Sequence, residues 1–157
     1  YYTNKNSVNL FAEALGELIS PTDYARTVKV ELSHIGIDSC GITLKDASGL
    51  SPANAVPAEV FTDLLIWAKG HLSDVFVASL PQGNVDWGLR VYSDHPVLRE
   101  NVIAKTGSMS GVRALAGYLK NQKGETLAFT ILVNNYVGDP VKVQEIIRDL
   151  LKDIADK

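Results

Sequence analysis

Val102–Asn134, VIAKTGSMSGVRALAGYLKNQKGETLAFTILVN, is the stretch that decides the fold. Apolar residues follow the short period of β-strands in three segments, Val102 to Ser108, Val112 to Leu119 and Thr126 to Asn134. A polar turn, Asn121 to Gly124, joins the last two segments. The stretch therefore predicts a three-stranded antiparallel meander.

A long helix is expected after the last strand. Asp139 is a good N-cap residue, and Pro140 suits the first helical position. The apolar residues that follow share one stripe at helical spacing, namely Val143, Ile146, Ile147, Leu150 and Ile154. This pattern predicts an amphipathic helix that covers the sheet.

The residues before the sheet predict helices. A polar cluster at Asn4–Asn9 precedes apolar residues at helical spacing, and this first helix ends near Ser20-Pro21. A second helix extends from about Thr22 to Ile35 and closes at Gly36, and a third begins at Pro57. The order of helices, strands and a closing helix indicates an α+β fold in a single domain over residues 1–157.

Between the second and third helices, residues 46–54 are rich in turn formers and predict an ordered loop. The short run Gly41 to Leu44, just before this loop, is compatible with a strand. The segment Leu80 to Asp86, broken by proline and glycine, predicts a loop followed by at most a short helix.

Composition excludes several classes of protein. The 157 residues are 46% hydrophobic and 21% charged with a net charge of −3, which is typical of a folded domain. The charge gives no basis for binding nucleic acid or anionic lipid. One cysteine, Cys40, which we expect to be a small buried side chain, and three histidines leave no ligands for a structural zinc site. We therefore expect no metal and no cofactor, and no apolar run reaches the roughly 18 residues of a membrane span.

Two short motifs carry functional information. Lys105-Thr106-Gly107 lies within a predicted strand, where a glycine weakens pairing unless another chain or ligand approaches closely. The lysine and the hydroxyl can bind a carboxylate, and Gly107 leaves room for a peptide alongside. Taken alone, the tripeptide also fits a surface lysine before a strand-end bulge. Ser7-Val8-Asn9 alone is equally compatible with an ordinary helix cap.

Together the two motifs are more specific. Serine-active penicillin-recognising enzymes combine Ser-x-x-Lys, Ser-x-Asn and Lys-Thr-Gly in that order. The chain resembles the class C low-molecular-mass penicillin-binding proteins, which are D-alanyl-D-alanine carboxypeptidases and endopeptidases. Asp46–Ser51 is similar to the Asp-Gly-Ser-Gly-Leu-Ser loop of that family. Lys105–Ser108 and Leu115–Tyr118 resemble its active-site strand and the neighbouring strand.

The resemblance implies a transpeptidase fold like that of penicillin-binding proteins and serine β-lactamases. It implies that Ser7 relays a proton to the leaving amine and that the Asn9 amide holds the carbonyl of the acyl peptide. Lys105 and Thr106 would bind the terminal carboxylate of D-alanine or of a β-lactam. The backbone N–H of Ser108 would form half of an oxyanion hole.

The same resemblance implies that Ser48 and Leu50, in the loop, line a pocket for the side chain of a peptidoglycan stem peptide ending in D-Ala-D-Ala. Two positions depart from the family pattern. Ala47 replaces a glycine, and Pro52 stands where some members carry an arginine near the substrate side chain, which leaves the third stem residue open.

The largest departure is that no lysine has a serine three positions before it, so the Ser-x-x-Lys motif is absent. The resemblance then implies that residues 1–157 are the C-terminal part of a penicillin-binding domain whose nucleophile lies upstream. It also implies a location in the periplasm or cell envelope, no activity of these residues alone, and self-association through apolar surface. Two alternatives stay open, a non-catalytic domain that binds peptide or protein, and an unrelated α+β interaction domain.

Overall fold

The computed structural model describes residues 1–72, 74–92 and 94–157. Helices come first along the chain, then a sheet, then a long closing helix, so the predicted α+β fold is confirmed. The elements are α1 (Tyr2–Asn6), α2 (Asn9–Ile19), α3 (Tyr24–His34), α4 (Ala58–His71), α5 (Asp74–Ser79), a 3₁₀ helix (Trp87–Tyr92), α6 (Pro96–Asn101), β1 (Val102–Met109), β2 (Val112–Lys120), β3 (Thr126–Asn134) and α7 (Pro140–Ala155).

The strands form an antiparallel sheet in the order β1-β2-β3, as the sequence predicts. The β1 and β2 strands pair in one continuous register from Val102 opposite Leu119 to Met109 opposite Val112. Because the two-residue connection at Ser110 and Gly111 is so short, it fixes this register, and Gly111 adopts a positive φ of 68°. Each strand agrees with its predicted range to within one residue.

One face of the sheet packs against the 3₁₀ helix, α6 and α7. Its fully buried side chains are Leu89, Leu98, Val102, Leu115, Leu119 and Leu151. The cap of α7 forms as predicted, because the Asp139 carboxylate accepts from the Val141 N–H at 2.8 Å.

The predicted stripe of α7 is partly wrong. Ile147 and Leu151 are buried against the sheet, whereas Ile146 and Leu150 are exposed. Each helical residue turns about 100° from the last, so these two side chains lie a quarter turn away from the sheet. Apolar spacing alone could not decide which of the two adjacent rows faces the sheet.

The opposite face of the sheet packs against α4. Leu65, Leu80 and Tyr118 form a buried cluster there, and the Tyr118 hydroxyl donates to the Leu65 carbonyl at 2.7 Å. Pro57 is the N-cap of α4 rather than its first residue, and the helix continues through Gly70. A further buried cluster joins α3, α4 and the segment between them, and it contains Leu32, Ile37, Ile42 and Val60.

Several local predictions for the first hundred residues are corrected. The expected strand at Gly41 to Leu44 is reduced to one bridge between Thr43 and Ala55. Cys40 is exposed rather than buried. The helices α1, α5 and α6, of five or six residues each, are too short for a periodic pattern to reveal. None of the helices in the described ranges combines the length and apolar character needed to cross a lipid bilayer.

Candidate active site

The outer edge of β1 is paired along its first half and open along its second. The Ala104 N–H donates to the Pro81 carbonyl at 2.9 Å, and the Gly83 N–H donates to the Val102 carbonyl at 3.0 Å. Alternate residues of an antiparallel strand turn their N–H and C=O to the same edge. Thr106 and Ser108 therefore direct their backbone groups to this edge, beyond the residues that Pro81 and Gly83 pair.

Lys105 and Ser7 meet beside this open edge. The Lys105 Nζ donates to the Ser7 Oγ at 2.9 Å and to the Thr106 carbonyl at 2.6 Å. Burial lowers the pKa of the Lys105 amine. Ser7 adopts a left-handed conformation, with φ 54° and ψ 46°, which is uncommon for a residue other than glycine. The two predicted motifs thus lie in one place although 98 residues separate them.

The helix α1 holds Ser7 in position through polar contacts on its inner side. The Lys5 Nζ donates to Asp86 Oδ2 at 2.8 Å, and the two side chains are only 9% and 19% exposed. The same carboxylate oxygen accepts from the Gln82 N–H at 2.8 Å. The Asn4 side chain donates to Ser79 Oγ at 2.9 Å. Since Pro81 and Gly83 also pair with β1, one segment ties α1 to β1.

Burial raises the pKa of the Asp86 carboxyl, but the hydrogen bond from Lys5, the Gln82 N–H and the Lys5 charge outweigh it. The net result is a pKa below the ordinary value of 3.8. Asp86 is therefore ionised at neutral pH and keeps its contact with Lys5.

Asn9 is the first residue of α2, two positions after Ser7, and it is exposed. The reversal of the chain at Ser7 separates α1 from α2, so that both predicted Ser-x-Asn side chains stand at the junction of the two helices. The structure thus brings Ser7 and Lys105 into contact, whereas the Asn9 side chain makes no hydrogen bond with the described residues.

Thr106, Gly107 and Ser108 line a cavity of about 580 Å³ beside the edge of β1. The 3₁₀ helix forms the opposite wall, where a Cβ on Gly88 would lie 3.5 Å from the Thr106 hydroxyl. Trp87, at 84% exposure, stands at the same cavity. A small ligand could therefore reach the Thr106 side chain and the outward backbone groups of the strand together.

A family model described as the D-Ala-D-Ala carboxypeptidase 3 (S13) family matches residues 2–156. The chain belongs to this family. The resemblance identified from the sequence motifs is thus confirmed.

Curated S13 relatives are similar along almost the whole chain. It is 36% identical to a D-alanyl-D-alanine carboxypeptidase of Actinomadura sp. (strain R39) over 98% of its length. It is 33% identical to the D-alanyl-D-alanine carboxypeptidase DacB of Haemophilus influenzae over 86% of its length. The chain spans only 30% and 31% of these two relatives.

Solved structures support the same fold. Penicillin binding protein 4 (dacB) of Haemophilus influenzae, solved with a β-lactam, superposes with a TM-score of 0.90 at 29% identity. The match covers 99% of this chain and 40% of that protein. An extended-spectrum β-lactamase, TLA-1, superposes with a TM-score of 0.77 at 18% identity, which shows the shared fold alone. The chain therefore has the fold of penicillin-binding proteins and serine β-lactamases.

The loop of the S13 domain at residues 46–54 is ordered by one carboxylate. Asp46 Oδ1 accepts from the Gly49 N–H at 2.7 Å and from the Asn54 side chain at 2.8 Å, and Oδ2 accepts from the Ser51 N–H. Burial raises the pKa of Asp46, but these hydrogen bonds outweigh it and the net pKa is lowered. The predicted ordered loop is confirmed.

Ser48 and Leu50, predicted to line a side-chain pocket, lie on this loop. The Ser48 N–H donates to Glu13 Oε1 at 2.9 Å. Hydrogen bonding from the Ser48 side chain, and then from the Ala47 and Ser48 backbone, lowers the pKa of Glu13. Leu50 is 60% exposed. Ser48 is thus tied to α2 rather than to Lys105, and the part of both residues in substrate binding stays a prediction.

Sequence reasoning missed two features of this region. The ion pair between Lys5 and Asp86 has no signal in the sequence, because a lysine before a serine and an aspartate in a loop are common anywhere. Arg113 could have been found, since the two-residue turn places it directly opposite Ser108. Arg113 lines the cavity together with Thr106.

Proposed function

We propose that these residues form the C-terminal part of the penicillin-binding domain of a serine-type D-Ala-D-Ala carboxypeptidase, which hydrolyses peptidoglycan stem peptides through an acyl-enzyme. The observation that carries the proposal is the 2.9 Å hydrogen bond between Lys105 Nζ and Ser7 Oγ at the open end of β1. It unites two of the three motifs that this chemistry uses.

The nucleophilic serine and its lysine base lie upstream of these residues in this proposal. The serine Oγ attacks the carbonyl of the penultimate D-alanine while the base takes its proton. The C–N bond then breaks, and Ser7 passes a proton to the leaving amine of the last D-alanine. Water hydrolyses the resulting ester and frees the serine.

The chain's own residues bind and orient the peptide. The Ser108 N–H points to the open edge and stabilises the oxyanion, a contribution of about 3 kcal/mol in comparable sites. Thr106 and the protonated Lys105 attract the terminal carboxylate. Asn9 holds the carbonyl of the acyl peptide, and Gly107 leaves room for the substrate beside the strand. Ser48 and Leu50 contact the stem-peptide side chain.

The test is intact-mass analysis of the longer natural polypeptide that contains these residues, before and after exposure to benzylpenicillin. We expect one acyl group per molecule on a serine upstream of Tyr1, and none with penicilloic acid, in which the reactive amide is already opened. The 157-residue chain alone should gain no mass. An adduct within residues 1–157 would contradict the division of the site, and no adduct on the longer polypeptide would favour a non-catalytic peptide-binding protein.

The substrate implies a location in the periplasm or cell envelope, where peptidoglycan is accessible.

The proposal also includes self-association of the isolated chain. Large apolar side chains on α2 are 47% to 82% exposed. They form the α2 apolar face, defined as Leu10, Phe11, Leu15, Leu18 and Ile19. Exposed apolar patches of this kind are typical of protein–protein interaction sites.

A further inference from the structure

The position of the Ser7 hydroxyl depends on a helix that has little support of its own. Ser7 follows α1 directly, and its left-handed φ of 54° reverses the chain there. The helix has five residues, none of them is buried, and no side chain in the described ranges caps its N-terminus. A helix this short is not stable by itself in water. Contacts from its side chains to the rest of the domain therefore decide where Ser7 lies.

One charged contact connects this helix to the segment beside β1. Lys5 lies two positions before Ser7, and its Nζ donates to Asp86 Oδ2 at 2.8 Å. Both side chains are less than one fifth exposed. A charge-assisted hydrogen bond is short and strong, and removing one partner of a desolvated pair leaves the other charge uncompensated. The contact therefore restrains α1 more firmly than an ion pair in open solvent would.

Asp86 is held from the side of the strand at the same time. The Gln82 N–H donates to the same Oδ2 at 2.8 Å, and the Asp86 N–H donates to the Gln82 carbonyl at 2.9 Å. Gln82 forms an antiparallel bridge with Ile103 of β1, two positions before Lys105. The Asp86 carboxylate thus joins the helix before Ser7 to the strand that carries Lys105.

The contact between Ser7 and Lys105 leaves the proton of the serine available. A protonated lysine has donors and no acceptor, so the Ser7 Oγ accepts from Lys105 Nζ at 2.9 Å. The hydrogen of the Ser7 hydroxyl then has room for another acceptor, because Ser7 is exposed. In the proposed function this acceptor is the leaving amine. The Oγ–H proton goes to the leaving nitrogen as the C–N bond breaks, and the proton that the upstream base took from the nucleophile restores the hydroxyl.

Resting on the proposed function, we propose that Lys5 and Asp86 are positioning residues for this proton transfer. They act through α1, by keeping the Ser7 hydroxyl at the distance from β1 that the leaving amine requires. A displacement of about 1 Å at a reacting group can cost about a hundredfold in rate. A leaving group that departs as an anion needs no proton from Ser7. The pair should therefore matter for the cleavage of an amide and hardly at all for that of a thioester.

The experiment compares two substrates in the longer natural polypeptide, diacetyl-L-lysyl-D-alanyl-D-alanine and the thioester in which D-thiolactate replaces the last D-alanine. The quantity measured is kcat/KM, since it reports the steps up to the acyl-enzyme. Lys5→Met should lower kcat/KM for the amide about tenfold or more and that for the thioester less than about threefold. Lys123→Met, in the exposed turn between β2 and β3, is the matched control for the lost charge and should change neither.

A second variant, Asp86→Asn, guards against a folding defect. The asparagine has the same shape, and its side-chain oxygen can still accept from the Gln82 N–H, so the change removes mainly the charge that attracts Lys5. It should show the same dependence on the leaving group, and its activity toward the thioester reports an intact site. Equal losses for the two substrates, or no loss for the amide, would overturn the inference.

Crystal structures of the longer polypeptide separate this inference from the proposed function. The Ser7 Oγ should lie within hydrogen-bond distance of Lys105 Nζ in the wild type, and this contact should be broken in Asp86→Asn. If the wild type cleaves neither substrate and does not react with benzylpenicillin, the proposed function fails, whereas a broken contact in the variant still supports the positioning of Ser7 by the pair. An unchanged distance between Ser7 and Lys105 in the variant would contradict the positioning role.

Discussion

Lys105 combines burial with a charge, and this combination decides what its replacement does. Burial lowers its pKa below the ordinary value of 10.5, so the folded chain holds this proton less tightly than the unfolded chain. The free energy of unfolding therefore rises with pH between the lowered pKa and 10.5. The buried charge therefore opposes folding slightly.

We predict that Lys105→Met abolishes benzylpenicillin acylation of the longer polypeptide without destabilising the fold. The free energy of unfolding of the 157-residue chain should stay the same or rise by up to about 1 kcal/mol, because a buried charge is replaced by an apolar chain of similar length. Urea unfolding measured at several pH values should also show the slope at alkaline pH removed. A loss of several kcal/mol would mean that Lys105 is mainly structural.

Breaking the pair of Lys5 and Asp86 should lower the free energy of unfolding, unlike the replacement of Lys105. Lys5→Met leaves a part-buried carboxylate without its cation, and we expect it to cost about 2 kcal/mol. The pKa of Asp86 is lowered, so the stabilisation is present above its ordinary value of 3.8 and is lost as the pH falls through the lowered value. The difference between wild type and variant in the free energy of unfolding should therefore narrow as the pH falls below 3.8 and through the lowered pKa.

Urea unfolding of wild type, Lys5→Met, Asp86→Asn and the double variant measures this coupling. The double variant should be less destabilised than the sum of the two single changes. Lys123→Met, in the exposed turn between β2 and β3, controls for the loss of one positive charge. Strict additivity in the cycle would refute the idea that the pair holds α1 to the segment beside β1.

At the scale of elements, Gly117 sets the approach of β1 to β2. A Cβ at this position would overlap the Ile103 carbonyl and lie 2.5 Å from the Ala104 Cα. We expect Gly117→Ala to force the strands apart and to cost about 3 kcal/mol. Because Lys105 follows Ala104 directly, benzylpenicillin acylation of the longer polypeptide should fall as well.

Gly70→Ala is the control for this substitution. Gly70 lies in α4 with no atom within 4 Å of a Cβ, and alanine is the better helix former by up to about 1 kcal/mol. This variant should be at least as stable as the wild type by urea unfolding. If Gly117→Ala were equally harmless, the sheet would have more freedom than its packing indicates.

The elements that could be predicted are those whose pattern repeats or whose caps are local. The meander and the Asp139-Pro140 start of α7 belong to this group, because alternation and capping are written in adjacent residues. The helices α1, α5 and α6 are too short for a periodic pattern, although Pro96 opens α6. The helix α1 also depends on a contact with a distant segment, that of Lys5 with Asp86. The pairing of Lys105 with Ser7 could be predicted only through family resemblance. The position of Arg113 near Thr106 depends on the strand register, which the exact length of the turn decides.

At the scale of the whole molecule, the described residues bury two faces of the sheet but leave large apolar surfaces elsewhere. Gly16 faces Ala47 on the inner side of α2, so the α2 apolar face points outward. The last strand in the order, β3, carries no charged residue over its nine positions. A long uncharged edge strand is a typical site of association.

The last prediction tests the α2 apolar face. We expect the sedimentation coefficient of the 157-residue chain to rise with concentration, and the double variant Leu10→Glu/Leu18→Glu to stay monomeric. Each buried leucine contributes about 2 kcal/mol, so the dissociation constant should increase by about a hundredfold or more. Val137→Glu is the matched control, because that side chain is fully exposed outside the face and its replacement should leave association unchanged. A chain that is monomeric at every concentration would contradict self-association, and an equal effect of Val137→Glu would reduce it to a general effect of charge.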